Sequence, residues 1–117
     1  MTAAPFVFFD IAGPDSGALS RFYSDVFGWS IDDAGQVSVS VQSPLDVAFR
    51  QDPAEHRMYI GVADVTQTLN AIEAAGGSID APRLEVPGVV VLGLFRDPAG
   101  NPMGLVEMDG DKPVVPG

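Results

Sequence analysis

The chain has 117 residues, 46% of them hydrophobic, and no cysteine. That length and apolar content suffice for one domain with its own core, while the lack of cysteine excludes disulfides, thiolate nucleophiles and cysteine-ligated zinc or iron–sulfur sites. Sixteen acidic against six basic residues give a formal net charge of −10, which repels nucleic acid and anionic lipid, so neither is an expected partner.

No run of about 18 apolar residues is present to span a bilayer, and residues 1–5 lack the basic and apolar regions of a secretory signal, so a cytoplasmic protein is expected. The first apolar stretch, Phe8 to Ile11, reads as a strand that leads to Asp15, a helix cap with Ser16 as its rival. Leu19, Phe22, Tyr23, Val26 and Phe27 then recur at helical spacing and form one apolar stripe, which Gly28 ends through a left-handed conformation. Beyond it the period changes to two. Val37, Val39 and Val41 alternate with Ser38, Ser40 and Gln42, and Val47 to Phe49 returns after the Ser43-Pro44 turn, which predicts a half-buried meander.

The same order then repeats. Residues 57–64 align with residues 8–15, and residues 76–80 with residues 28–32, at spacings that differ by one residue, as in a duplicated supersecondary unit. A strand over 57–62 leads to Asp64, with Gln67 completing a capping box, and Val65, Leu69 and Ile72 give a sparser helical stripe ended at Gly76-Gly77. Residues 89–95 form a long apolar strand, residues 97–102 a turn, and residues 103–108 a last strand. The fold class is therefore α+β: two tandem βαβββ modules, the first at about 5–52 and the second at about 56–109, in a single domain over residues 1–117. The proline-bearing tail at 110–117 is expected to be loosely held.

Phe22-Tyr23 with Val26-Phe-Gly-Trp29, Ile60-Gly-Val-Ala-Asp64, Phe95-Arg-Asp-Pro-Ala-Gly-Asn101 and Gly104-Leu-Val-Glu107 together resemble the vicinal oxygen chelate superfamily, the glyoxalase, bleomycin-resistance and extradiol dioxygenase group. The likeness covers nearly the whole chain. It implies paired modules whose curved mixed sheets form a cup, and a homodimer. In the superfamily's metalloenzymes a His in the first strand of each module and a Glu in the last strand hold a metal in that cup. Carried over, these positions fall on Phe8, Arg57 and Glu107, with a further one near Phe49. Only Glu107 can ligate, so neither metal nor other cofactor is expected.

Strand alternation is read as turning Phe8, Asp10, Arg57, Tyr59, Gly61, Leu105 and Glu107 toward the cup, with Met103 beside them. Phe8, Asp10, Phe49, Arg57, Tyr59, Leu105 and Glu107 are the candidate ligand-binding residues, and Asp10, Tyr59 and Glu107 the candidates for any catalytic role. Phe8 fits core packing or ligand stacking, Asp10 a general base, an anchor for a cation or a solvated rim carboxylate, and Tyr59 a proton donor or a strand tie. Trp29 suits packing over the sheet edge. Pleating aims His56 away from the cup, although a one-residue slip would reverse that and offer it to a metal. An Arg57–Glu107 charge pair is expected to replace the metal on the cup floor.

The leading function is a small-molecule-binding protein without a metal, holding an organic ligand between the modules. The alternative is a lyase, isomerase or dioxygenase, with unexpected metal ligands or with none. A structural module whose cup is filled by its own side chains is a third reading.

Overall fold

The computed structural model describes residues 2–117. In chain order its elements are α1 (Ser16–Phe27), β1 (Ser30–Ile31), β2 (Val37–Ser38), β3 (Met58–Val62), α2 (Val65–Ala74), β4 (Ser78–Val86), β5 (Val90–Arg96), β6 (Pro102–Asp109) and β7 (Lys112–Pro113). The class is α+β, with two helices against an open, curved, mixed sheet.

Both helices start and stop on local chemistry. The Asp15 carboxylate accepts from the Ala18 N–H at 3.0 Å and Asp64 from the Gln67 N–H at 2.9 Å, satisfying donors that have no partner inside the first turn. Gly28 closes α1 at φ 68°, where a side chain would be strained. Leu19, Phe22 and Tyr23 of α1 and Val65, Leu69 and Ile72 of α2 are buried in one cluster with Phe95, Met103 and Leu105 from the sheet. Trp29 does not cap the sheet edge alone: it stacks on Tyr23, with ring centroids 4.9 Å apart and planes 14° from parallel.

The second half is a complete strand–helix–three-strand unit. Its strands lie in the order β3-β6-β5-β4, with β3 parallel to β6, the remaining pairs antiparallel, and the short β7 beside β6. In β5 burial alternates strictly: Val91, Gly93 and Phe95 face the helices, and Leu92 and Leu94 the other side. Gly93 lets α2 approach, since a Cβ there would lie 2.7 Å from Val65 Cγ1 and 3.1 Å from Leu69 Cδ1.

The first half differs from the expected module. It contributes α1 and a hairpin of two residue pairs, Ser30↔Ser38 and Ile31↔Val37, while residues 2–13 and 39–57 carry no strand. Alternation of apolar residues gives a strand a face, but a strand also needs a neighbour to complete its hydrogen-bond ladder. Without one, Phe6 to Phe9, Val39, Val41, Val47 and Phe49 stand exposed. The tail also departs from expectation. Val114 N–H donates to the Glu107 carbonyl at 2.9 Å and Gly88 N–H to that of Pro116 at 2.8 Å, which ties the last residues to the sheet.

Candidate functional site

The face assigned to β6 from its sequence is off by one residue. Met103 and Leu105 are buried against the helices, and Glu107 points the same way, its carboxylate accepting the Val65 N–H at the start of α2 at 3.0 Å. The opposite face carries Gly104, Val106 and Met108. Tyr59 of β3, 45% exposed, lies over Gly104, where a Cβ would be 2.3 Å from its ring. Both residue sets along β6 are apolar, so alternation alone could not choose between them. What decides the register is Glu107: a carboxylate gains from the unpaired N–H groups and positive end of α2. Leu105 is thus core, not a ligand contact.

Arg57 and Glu107 do not pair. Glu107 is held by Arg83, which reaches across β5 with Nη2–Oε1 at 2.8 Å and Nε–Oε2 at 3.1 Å. These bonds, then the Val65 N–H, hold the Glu107 carboxyl below the usual carboxylate range. Its contribution is therefore complete above about pH 4.3, the unfolded value, and is lost as the pH falls through the lower folded value. Arg57, its side chain 6% exposed, donates to the Met103 carbonyl at 2.7 Å, to Glu55 at 3.1 and 3.3 Å, and to Asp80 at 3.3 Å. Glu55 also binds Arg50, and its carboxyl, bonded first by Arg57 and then by Arg50, is pulled down to about 2. Arg57 precedes the Met58↔Met103 pair at one end of the β3–β6 ladder, whereas Glu107 pairs with Val62 at the other, so the two side chains do not meet and each has a nearer partner.

A cleft of about 530 Å³ opens between the two halves. One wall is Asp10, Ile11 and Ala12 from the segment before α1; another is Ala54, Glu55 and His56; the floor is Met58, Arg96 and Met103 with Asn101 and Pro102. Its volume lies within the range of small-molecule sites, about 300–1,000 Å³. The walls are fixed by hydrogen bonds: Asn101 Nδ2 donates to the Ala12 carbonyl at 2.8 Å, and Arg96 to Asp80 at 3.3 Å and to the Gly100 carbonyl at 3.0 Å.

Of the residues singled out from the sequence, Asp10 lines this cleft and His56 joins it. Phe8, 71% exposed, and Phe49, fully exposed, stand outside it, as the strands expected to aim them are absent. Tyr59 lies on the open sheet face. Glu55, Arg96, Asn101 and Met58 were missed, Met103 alone among the floor residues having been read beside the cup, and only the position of Glu55 beside His56 hinted at a shared wall.

The donor set does not fit the metal of the superfamily's metalloenzymes. Among the described residues no three His, Asp or Glu side chains come together in a way that could hold an ion, and Glu107 is engaged as the cap of α2. No helix among them is long and apolar enough to cross a membrane.

Comparison with known proteins fits this architecture. The family model described as a glyoxalase-like domain matches residues 6–106. An anthracycline biosynthesis protein, DnrV of Streptomyces peucetius, is 25% identical over 79% of this chain, which spans only 42% of that protein's length. Among solved structures, a hypothetical protein of S. aureus superposes with a TM-score of 0.66 at 17% identity, covering 92% of this chain and 96% of that one. A glyoxalase/bleomycin resistance protein/dioxygenase family enzyme from Burkholderia phytofirmans gives 0.58 at 18%, covering 80% and 90%. The chain therefore belongs to the glyoxalase-like domain family, within the vicinal oxygen chelate superfamily.

Proposed function

We propose that the protein holds a small organic molecule in the cleft between its halves, without a metal. The observation that carries this reading is the cleft lining itself, apolar at Ile11 and Met58 and polar at Asp10, Glu55, His56 and Arg96, the mixture that orients an organic ligand. A relative named for anthracycline biosynthesis is consistent with a ligand of natural-product size. Titration with Nile red, a neutral aromatic dye, should reach saturation at one site per chain. Ala12→Trp, which fills the cleft from an exposed position and leaves the Ala12 carbonyl in place, should abolish it. Binding unchanged by that substitution would refute the reading.

We also infer that the first half meets a second copy of the chain. Its four exposed phenylalanines, 6, 8, 9 and 49, with Val7, Val39, Val41, Leu45 and Val47, leave several hundred Å² of apolar surface in water at about 150 Å² per fully buried ring. A monomer's largest apolar patch is about 300–600 Å², and one side of a standard interface is about 800 Å². Sedimentation at about 50 μM should give twice the chain mass of 12.3 kDa. A species of single-chain mass alone would contradict the pairing.

A further inference from the structure

The cleft carries an imbalance of charge once its internal pairs are assigned. Arg96 is bound by Asp80 and the Gly100 carbonyl. Glu55 is bound by Arg57 and Arg50. Asn101 spends its amide protons on Ala12 and Asp97. Asp10 and His56 are different: both line the cleft, and among the described residues neither side chain has a hydrogen-bond partner, which leaves Asp10 as the one unpartnered carboxylate there. Counting the groups in and around the cleft, four carboxylates (Asp10, Asp52, Glu55 and Asp80) face three guanidiniums (Arg50, Arg57 and Arg96). The charged side chain without a partner is an acid, on a protein of formal charge −10 with histidine counted as neutral.

We propose that the ligand class of this cleft is an organic cation, a protonated or quaternary amine on an apolar body, with Asp10 as the counter-charge and the partly buried Met58 and Ile11 as the apolar bed. This rests on the cleft being the ligand site. The chemistry follows from what each wall has left to offer. The charge of the Arg96 guanidinium is already met by Asp80 at 3.2 Å, so an anion there would compete with a carboxylate in place. A cation meets no such competition, since the Asp10 oxygens are free to accept from an ammonium or to face a quaternary nitrogen. The Met58 thioether beneath is polarizable and flexible enough to fit bodies of different outline. The field of the whole chain also raises the local concentration of cations.

The test compares rhodamine 6G, a cationic aromatic dye, with neutral Nile red on the full chain, by equilibrium fluorescence at low ionic strength. The cation is expected to bind more tightly, and Asp10→Asn to weaken it about fivefold, as for a partly solvated ion pair, while Nile red shifts less than about twofold. Asp111→Asn removes the same unit of charge from the opposite end of β6, and should leave both dyes unchanged once salt is matched. Thermal melting of both variants checks that they are folded. Equal binding of the two dyes, each lost in Ala12→Trp, would overturn the cation preference and leave the site standing. A loss in Asp111→Asn as large as in Asp10→Asn would overturn the role of Asp10 by tracing the effect to overall charge. Failure of both dyes to bind in a manner sensitive to Ala12→Trp would overturn the site together with its ligand class.

Discussion

Asp97→Ala is expected to lower stability by about 3–5 kcal/mol, the range for stranding partners of a buried charge. The Asp97 carboxylate is 3% exposed and accepts four hydrogen bonds: from the Tyr23 hydroxyl at 2.9 Å, the Ala99 N–H at 2.9 Å, the Asn101 N–H at 3.0 Å and the Asn101 amide at 2.8 Å. Two of these shape the turn between β5 and β6, while the first fastens α1 to that turn and the last orients the side chain that holds Ala12. One substitution therefore loosens a wall of the cleft as well as the core. Tyr23→Phe removes a donor and leaves the carboxylate three others, so it should cost only about 1–2 kcal/mol. Burial, then the Asp97 charge and its hydrogen bond, push the Tyr23 hydroxyl well above its ordinary value. The unfolded chain loses that proton near pH ~10 and the folded chain keeps it, so stability from this group is complete below that pH and falls as the pH rises further. Urea unfolding across the alkaline range should show this decline, and Tyr23→Phe should flatten it. A change under about 1 kcal/mol in Asp97→Ala would mean the bonds are not formed.

Gly77→Ala is expected to cost about 2–3 kcal/mol through overpacking. A Cβ at Gly77 would lie 2.6 Å from Ile72 Cγ2 and 2.7 Å from the backbone carbonyl oxygen of Arg96. The carbonyl cannot withdraw without moving the end of β5, which carries a cleft residue, and Ile72 is fully buried. Gly104→Ala makes the instructive contrast. There the Cβ meets the Tyr59 ring at 2.3 Å, a shorter approach, yet that ring is half exposed and can swing into solvent, so the cost should stay below about 1.5 kcal/mol. Denaturation of the two variants side by side checks the order, and the reverse order would show that backbone contact is not what makes Gly77 necessary.

What was legible in the sequence was what is local. Asp15, Asp64 and Gly28 act within one helical turn of themselves, and each does what its residue type predicts. The second half was readable because its helix and strands follow one another and pair within the same unit. The first half was not: the alternation at Val37 to Val41 gives a face without naming a partner strand. The register of β6 failed for a related reason, since Met103 and Leu105 compete with Gly104 and Val106 on nearly equal apolar terms, and the deciding contact of Glu107 comes from α2, 42 residues away in sequence. Asp97 shows the limit within a single residue. Its bonds to Ala99 and Asn101 follow from the turn motif, but its bond to Tyr23 spans 74 residues. The cleft is built the same way, from Asp10, Glu55 and Arg96 on three separate segments.

The methionine methyl groups test the site most directly. Of the four methionines, Met58 and Met103 line the cleft, whereas Met108 lies on the open sheet face with its side chain over Gly61. With the methyls labelled with carbon-13 and Nile red titrated in, the Met58 and Met103 resonances should shift together along one saturation curve, while that of Met108 stays in place. Movement of the Met108 resonance with Met58 and Met103 unchanged would put the ligand on the open face of the sheet and contradict the cleft as the binding site.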